Sequence, residues 1–225
     1  MMNIKKYNKG FSLIELIIAM AISTTVLSGI VALFHKQVVS HNTERLMVSM
    51  QQNVRAAASF MERDIRMARY DPRGFSGAAI LVANEGQLSY ETDRNEDGTI
   101  DAGETITYAL NGDELVRGNV ATVSPFDATA APQVARNIDA LNFDYFDAAG
   151  NNIADKSVTP WVVPLNQIAS IQVSIVARAG NTIPVGFTRV TDVTQYRNRS
   201  GDIIFGPAND VFRRMQVTTD IDCRN

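Results

Sequence analysis

Cysteine is almost missing from this chain: one residue, Cys223, in 225. A single thiol excludes an internal disulfide framework. Histidine is nearly as scarce, with His35 and His41 the only two, and they lie six apart on one stretch, on different faces of a helix. No Ser/His/Asp set, no Cys/His pair and no phosphate-cradling glycine loop occurs in a usable context, so the composition argues against an enzyme. Proline is absent before Pro72, leaving nothing to break a helix over the first 71 residues. A basic excess is lacking too: the net charge is −3, a balance that argues against nucleic acid as the main partner.

What the chain does have is concentrated at its start. Lys5, Lys6 and Lys9 lead to Gly10, then Phe11-Ser12-Leu13-Ile14-Glu15, then an apolar run to Phe34. At about 1.5 Å per residue the run from 11 to 34 reaches about 36 Å in helix, enough to cross a hydrocarbon core of about 30 Å. An ordinary secretory signal has a shorter apolar core and a small-residue cleavage site after it, and neither is found here. A plain single-pass anchor is long enough, but gives no reason for Glu15. A carboxylate in such a run costs about 2.5–3.5 kcal/mol at the bilayer centre, so its presence asks for a function. The lysines, by the positive-inside rule, put the N-terminus in the cytoplasm and the rest outside.

Beyond His35-Lys36 the helical pattern continues. Leu46, Met50, Val54, Ala57, Met61, Ile65 and Ala68 recur at steps of three and four, the stripe of an amphipathic helix. Arg45, Arg55, Arg63, Arg66 and Glu62 fill much of the remaining circumference. Residues 11–69 therefore read as one helix of about 90 Å, ended by Asp71-Pro72-Arg73-Gly74. After Gly77 the period changes. Short runs at Ala79–Val82, Leu88–Glu91, Thr105–Leu110 and Glu114–Arg117, parted by Asn84-Glu85-Gly86 and Asn111-Gly112-Asp113, predict an antiparallel meander. Residues 118–132 are looser. Ala140–Phe146 and Gln167–Arg178 alternate as strands, with Leu141, Phe143 and Tyr145 inward and Asp144 and Asp147 facing solvent. Residues 188–201 read as a surface loop, and 212–221 as a closing strand. Trp161, between Pro160 and Pro164, reads as a plug under a loop. The fold class is α+β, a long N-terminal helix covering one face of an antiparallel sheet.

The stretch Lys9-Gly10-Phe11-Ser12-Leu13-Ile14-Glu15 resembles the class III signal of type IV pilins and type II secretion pseudopilins. The resemblance implies that a prepilin peptidase cuts between Gly10 and Phe11 and N-methylates Phe11, that the apolar segment stays, and that Glu15 serves assembly. Without the three leader lysines the mature chain has 18 basic side chains against 24 acidic ones, a net charge of −6. Gln52–Arg55 with Phe60–Asp71, and the terminal Arg213-Arg214-Met215, Thr218-Thr219 and Arg224-Asn225, resemble PilW-type minor pilins and J-type pseudopilins. The resemblance then implies a pilin-like architecture: leader 1–10, membrane or filament-core helix 11–35, amphipathic helix 36–70 and sheet domain 71–225. It implies an inner-membrane protein with a periplasmic domain, a minor subunit that initiates a type IV pilus and stands near its tip. The partners would be other minor pilins and the major pilin, with inner-membrane lipid around the anchor. Two alternatives remain: a minor pseudopilin of type II secretion, and a display module whose stem is pilin-like and whose domain binds a ligand through calcium, with 118–136 or 188–210 hosting the site.

One further motif comes from the residues alone. Asp93-Arg94-Asn95-Glu96-Asp97-Gly98-Thr99-Ile100-Asp101-Ala102-Gly103-Glu104 fits the twelve-residue calcium loop at each coordinating place, with glycine at position six. Calcium takes six to eight oxygens at 2.3–2.6 Å, so the chain must wrap the ion. Asp93, Asn95 and Asp97 would offer side-chain oxygens, Thr99 its carbonyl, Asp101 a bridged water and Glu104 both carboxylate oxygens. Ile100 would pin the loop to the core. The flanks read as strands, so this would be a structural Ca2+ loop on a hairpin. The plain alternative is a solvated acidic tip.

Overall fold

The computed structural model describes residues 10–119, 127–180 and 191–223. The leader lysines, residues 120–126 and 188–190 of the two candidate ligand segments, and Arg224-Asn225 lie outside the described residues. One helix, α1, runs Leu13–Ile65. Ten strands follow: β1 Ile80–Ala83, β2 Leu88–Glu91, β3 Thr105–Asn111, β4 Glu114–Asn119, β5 Gln133–Arg136, β6 Ile138–Phe146, β7 Ser170–Arg178, β8 Tyr196–Arg197, β9 Ile203–Phe205 and β10 Arg214–Asp222. The described residues form two compact units, divided between Glu44 and Arg45. The sequence places this boundary nine residues earlier, where hydropathy falls rather than where packing begins.

In the first unit, the helix from Leu13 to Phe34 is exposed along its length. Leu13, Ile14, Leu16, Ile17, Leu33 and Phe34 are all exposed. Among the described residues α1 is the helix long and apolar enough to cross a membrane. Exposed leucine and isoleucine on every side is what a helix solvated by lipid, or by other helices, looks like when viewed alone.

The second unit has its own core. Met50, Val54, Ala57, Met61, Ile65 and Ala68, the stripe read from spacing, are buried, with Leu46 packed at the edge. They share one cluster with Tyr90, Tyr108, Phe143, Tyr145, Ile171 and Ile175. Each such side chain contributes about 1.5–3 kcal/mol when fully buried. The α+β class with antiparallel pairing is therefore observed, but there are two main sheets where one was expected. One has the order β1-β2-β3-β4-β5, the other β10-β7-β6, and β8 pairs with β9. The α-helix is also shorter than its pattern, ending at Ile65 and unwinding through turns to Arg69, whose φ is +65°. Asp71 then accepts the amides of Gly74, Phe75 and Gly77 and shapes the bend that follows.

The alternation read in residues 140–146 misplaced Asp144. On β6, Asn142, Phe143, Asp144 and Tyr145 are all buried. Lys156, from the segment after the strand, reaches Asp144 Oδ1 at 2.9 Å and also pairs with Asp202. A covered outer face removes the in-out rule on which the solvent assignment rested. Trp161 is half-buried rather than a core plug, and the Lys156 ammonium stands 4.5 Å above its ring.

Candidate functional site

Two of the three sequence-predicted sites can be described in side-chain detail. The first is the helix start. Gly10 and Phe11 precede the helix, and Phe11 is 90% exposed, an open peptide bond rather than a packed one. Ser12 precedes α1, and its amide donates to Glu15 Oε2 at 3.0 Å. Ser12 and Glu15 stand three apart with Leu16 N bonded to Ser12 O, and the Glu15 bond is the carboxylate half of a capping box. Sequence reasoning gave Glu15 an intermolecular task and missed this local one, though the Ser-x-x-Glu spacing carried the signal.

The second is the loop joining β2 to β3. Those strands pair antiparallel from Leu88↔Tyr108 to Glu91↔Thr105, so residues 92–104 connect a hairpin. Glu104 is buried and turned inward: Oε1 accepts the amides of Arg94 and Asn95, and Oε2 that of Asp101. Burial works to raise the Glu104 pKa, but those three amides win and hold the carboxyl below its ordinary range. Asp93 is fully buried, its Oδ2 accepting the Gly98 amide at 3.0 Å while its Oδ1 has no hydrogen-bond partner. Gly98 has φ +87°, a conformation a side chain would strain. Asn95 Nδ2 donates to both Asp97 Oδ2 and Asp101 Oδ2, at 3.0 and 3.2 Å, so a donor stands where two carboxylates meet. Thr99, through its hydroxyl and amide, holds Asp97 below the usual carboxylate range. Ile100 is half-buried.

Among the described residues no three His, Cys, Asp or Glu side chains converge as a ready cluster. Oxygen side chains are the donor type a hard cation takes, the buried Asp93 Oδ1 lacks a hydrogen-bond partner, and five acids against one arginine leave a local charge of −4. The loop is fastened to the helix end: Asp93 N donates to Tyr70 O, Tyr70 Oη to Glu96 and Arg94 pairs with Asp64 at 3.6 Å. Asp64 in turn accepts from Tyr108 Oη at 2.8 Å and Arg117 Nε at 2.6 Å.

The third predicted region, 118–136 and 188–210, is described in part. In it β5, β8 and β9 are short strands, and Asp192 and Asp210 hold Arg214. Cys223 is half-buried, and burial pushes its thiol up to about 11, which disfavours the reactive thiolate.

The helix start decides the comparison. Residues 5–31 carry the prokaryotic N-terminal methylation motif. This motif contains the leader lysines, the Gly10-Phe11 bond and Glu15, so the class III signal expected from the residues is present. No curated protein matches the chain in sequence. Among solved structures, a type IV-like pilin from Thermus thermophilus is similar, with a TM-score of 0.49 and 10% identity over 77% of this chain and 96% of that one.

Proposed function

We propose that this chain is a minor pilin, made with its methylation motif on the cytoplasmic side and its sheet domain in the periplasm, that initiates a type IV pilus and stands near its tip. The observation that carries this reading is Glu15, one carboxylate in an otherwise apolar helix directly after the motif's Gly10-Phe11 bond. Cleavage by a prepilin peptidase frees the Phe11 amine. In a bundle of such helices that amine and the Glu15 of a neighbour are each tolerable in an apolar core only as a pair. The pair sets the register, and apolar contact along residues 11–35 does the rest. The neighbours are other minor pilins and the major pilin.

The same motif serves the pseudopilus of type II secretion, so one experiment must separate the two. Deleting the gene is expected to remove surface pili, seen by electron microscopy, while secreted protein from the same cultures is unchanged. Intact pili with blocked secretion would assign the chain to the pseudopilus. No change in either would favour a displayed binding module.

The β2–β3 loop is, in the same proposal, a structural calcium site. Asp93, Asn95, Asp97 and Asp101 would hold the ion with the Thr99 carbonyl and Glu104, and the ion would supply positive charge to a loop that otherwise repels itself. Extracellular modules of this type bind at around 10⁻⁴–10⁻³ M. At 10 mM calcium, about 10 to 100 times such a Kd, the stabilisation is about 1.4–2.7 kcal/mol, which corresponds to about 3–10 °C in a domain of this size. We expect millimolar calcium to raise the melting temperature of a fragment beginning at Arg45, chelator to reverse it, and Asp93→Ala with Glu104→Ala to abolish the rise. Glu104 and Asp97 have depressed pKa values in the fold. Their contribution is thus full above the ordinary carboxylate range and is lost as pH falls from that range through the depressed values below it, and the calcium effect should fade over the same interval. An equal rise in the double variant would remove the calcium assignment.

A further inference from the structure

The outer face of α1 from Arg45 onward is mainly basic, with Glu62 its one acid. Arg45, Arg55, Arg63 and Arg66 are exposed and follow one another at helical spacing along about 31 Å. Arg66 is paired with Glu62 at 2.7 Å. Arg45, Arg55 and Arg63 are different: no hydrogen bond or ion pair joins their guanidinium groups to any described residue. Val48, 51% exposed, interrupts the stripe with an apolar spot. In a chain with more acids than bases, three free arginines on one helix face are not a general surface property.

The complementary surface is on the same molecule. Glu96, Asp97 and Asp101 are exposed at the tip of the β2–β3 loop. Beside them Phe75 is 83% exposed, and its Cβ lies 3.5 Å from where a side chain on Gly98 would begin. This aromatic is held out by the Asp71 turn, whose carboxylate accepts the Gly74, Phe75 and Gly77 amides. An acidic tip with one aromatic knob meets, in chemistry, a basic face with an apolar spot. An arginine over an aromatic ring is attracted by the ring's negative face, and matched potentials steer the encounter.

We propose that the acidic tip of one copy of this chain, with Phe75, docks on the Arg45–Arg63 face of a second copy. The two surfaces differ, so the contact is head-to-tail: each docked copy still presents a free tip and a free face, and the arrangement can extend. The charge argument holds with or without a cation, since calcium would reduce the loop charge from −4 only to about −2.

The test uses the full chain in membranes, with Cys223→Ser as background and chelator present throughout, so that it does not depend on calcium. Chains with Arg63→Cys and with Glu96→Cys are co-expressed and treated with a short bismaleimide. The expected result is a cross-linked pair at least tenfold above either variant alone. Arg45→Glu with Arg55→Glu in the first chain should remove it, and Asp97→Arg with Asp101→Arg in the second should restore it. The same product is expected in vesicles of phosphatidylcholine alone. No product above the single-cysteine controls, or a yield indifferent to charge reversal, would overturn the proposal. A product that requires anionic lipid would overturn it as well, and would mark the arginine face as a headgroup-binding surface.

Discussion

Glu15→Gln is expected to be cut after Gly10 as the unaltered chain is, and yet to lose capture by its filament partners at least a hundredfold. Glutamine is the informative substitution because Glu15 has two tasks. Its carboxylate accepts the Ser12 amide within its own helix, and a glutamine carbonyl closes the same capping box. Charge is the only thing removed. An amine left without its carboxylate in an apolar bundle costs about 3–5 kcal/mol, and each 1.4 kcal/mol is tenfold in affinity. Glu15→Leu removes both tasks and should be as weak in assembly, with a frayed helix start besides. Co-purification of the mature subunit with its partners measures the difference. If Glu15→Gln associates normally and Glu15→Leu does not, the cap accounts for the residue and the pairing idea fails.

Arg214→Ala is expected to cost about 3–5 kcal/mol of folding stability, or about 6–20 °C in melting temperature. The side chain is 2% exposed and is ringed by three carboxylates: Nε to Asp139 Oδ2 at 2.6 Å, Nη1 to Asp192 Oδ2 at 3.1 Å and Nη2 to Asp210 Oδ2 at 2.6 Å. Phe205 covers it, with the guanidinium 5.0 Å from the ring centroid. Alanine leaves three acids facing one another with Arg178, which reaches Asp139 at 2.6 Å, as the remaining cation. Arg214→Lys should recover less than half of the loss, because a single ammonium cannot span the fork that holds Asp210 through both Nη atoms. Thermal unfolding of the fragment beginning at Arg45 gives the answer. A shift under 2 °C for alanine would mean that the cluster is solvated and not structural.

Arg214 also shows why part of this molecule is hidden in its sequence. The closing Arg213-Arg214-Met215 is legible as strand and by resemblance, but the reason for Arg214 lies in acids 75, 22 and 4 residues away, which no local pattern connects. Asp144 misled for a related cause. Period two says which face a side chain takes, but only packing says whether that face is dry, and Lys156 and Asp202 arrive from elsewhere. The stripe from Leu46 to Ala68 was readable because a helix against a core writes its contacts at fixed intervals. Strands β1 to β4 were readable because Asn84 and the Asn111-Gly112 turn separate them. Strand β5, four residues after Pro132, and the two- and three-residue strands β8 and β9 are too short to alternate visibly. The β2–β3 loop was legible as a possible cation site because all its oxygens lie within twelve consecutive residues. The split into two sheets was not, since strand order depends on contacts between distant segments.

The measurement that reaches the centre of this account is the mass of the N-terminal peptide of the protein taken from cell membranes. A peptide beginning with N-methylated Phe11, with residues 1–10 gone and Glu15 retained, is the predicted result: it would show the motif processed and the apolar helix kept for assembly. A peptide beginning at Met1, or one beginning beyond the apolar run, would contradict it and leave the helix as an ordinary anchor or a discarded export signal.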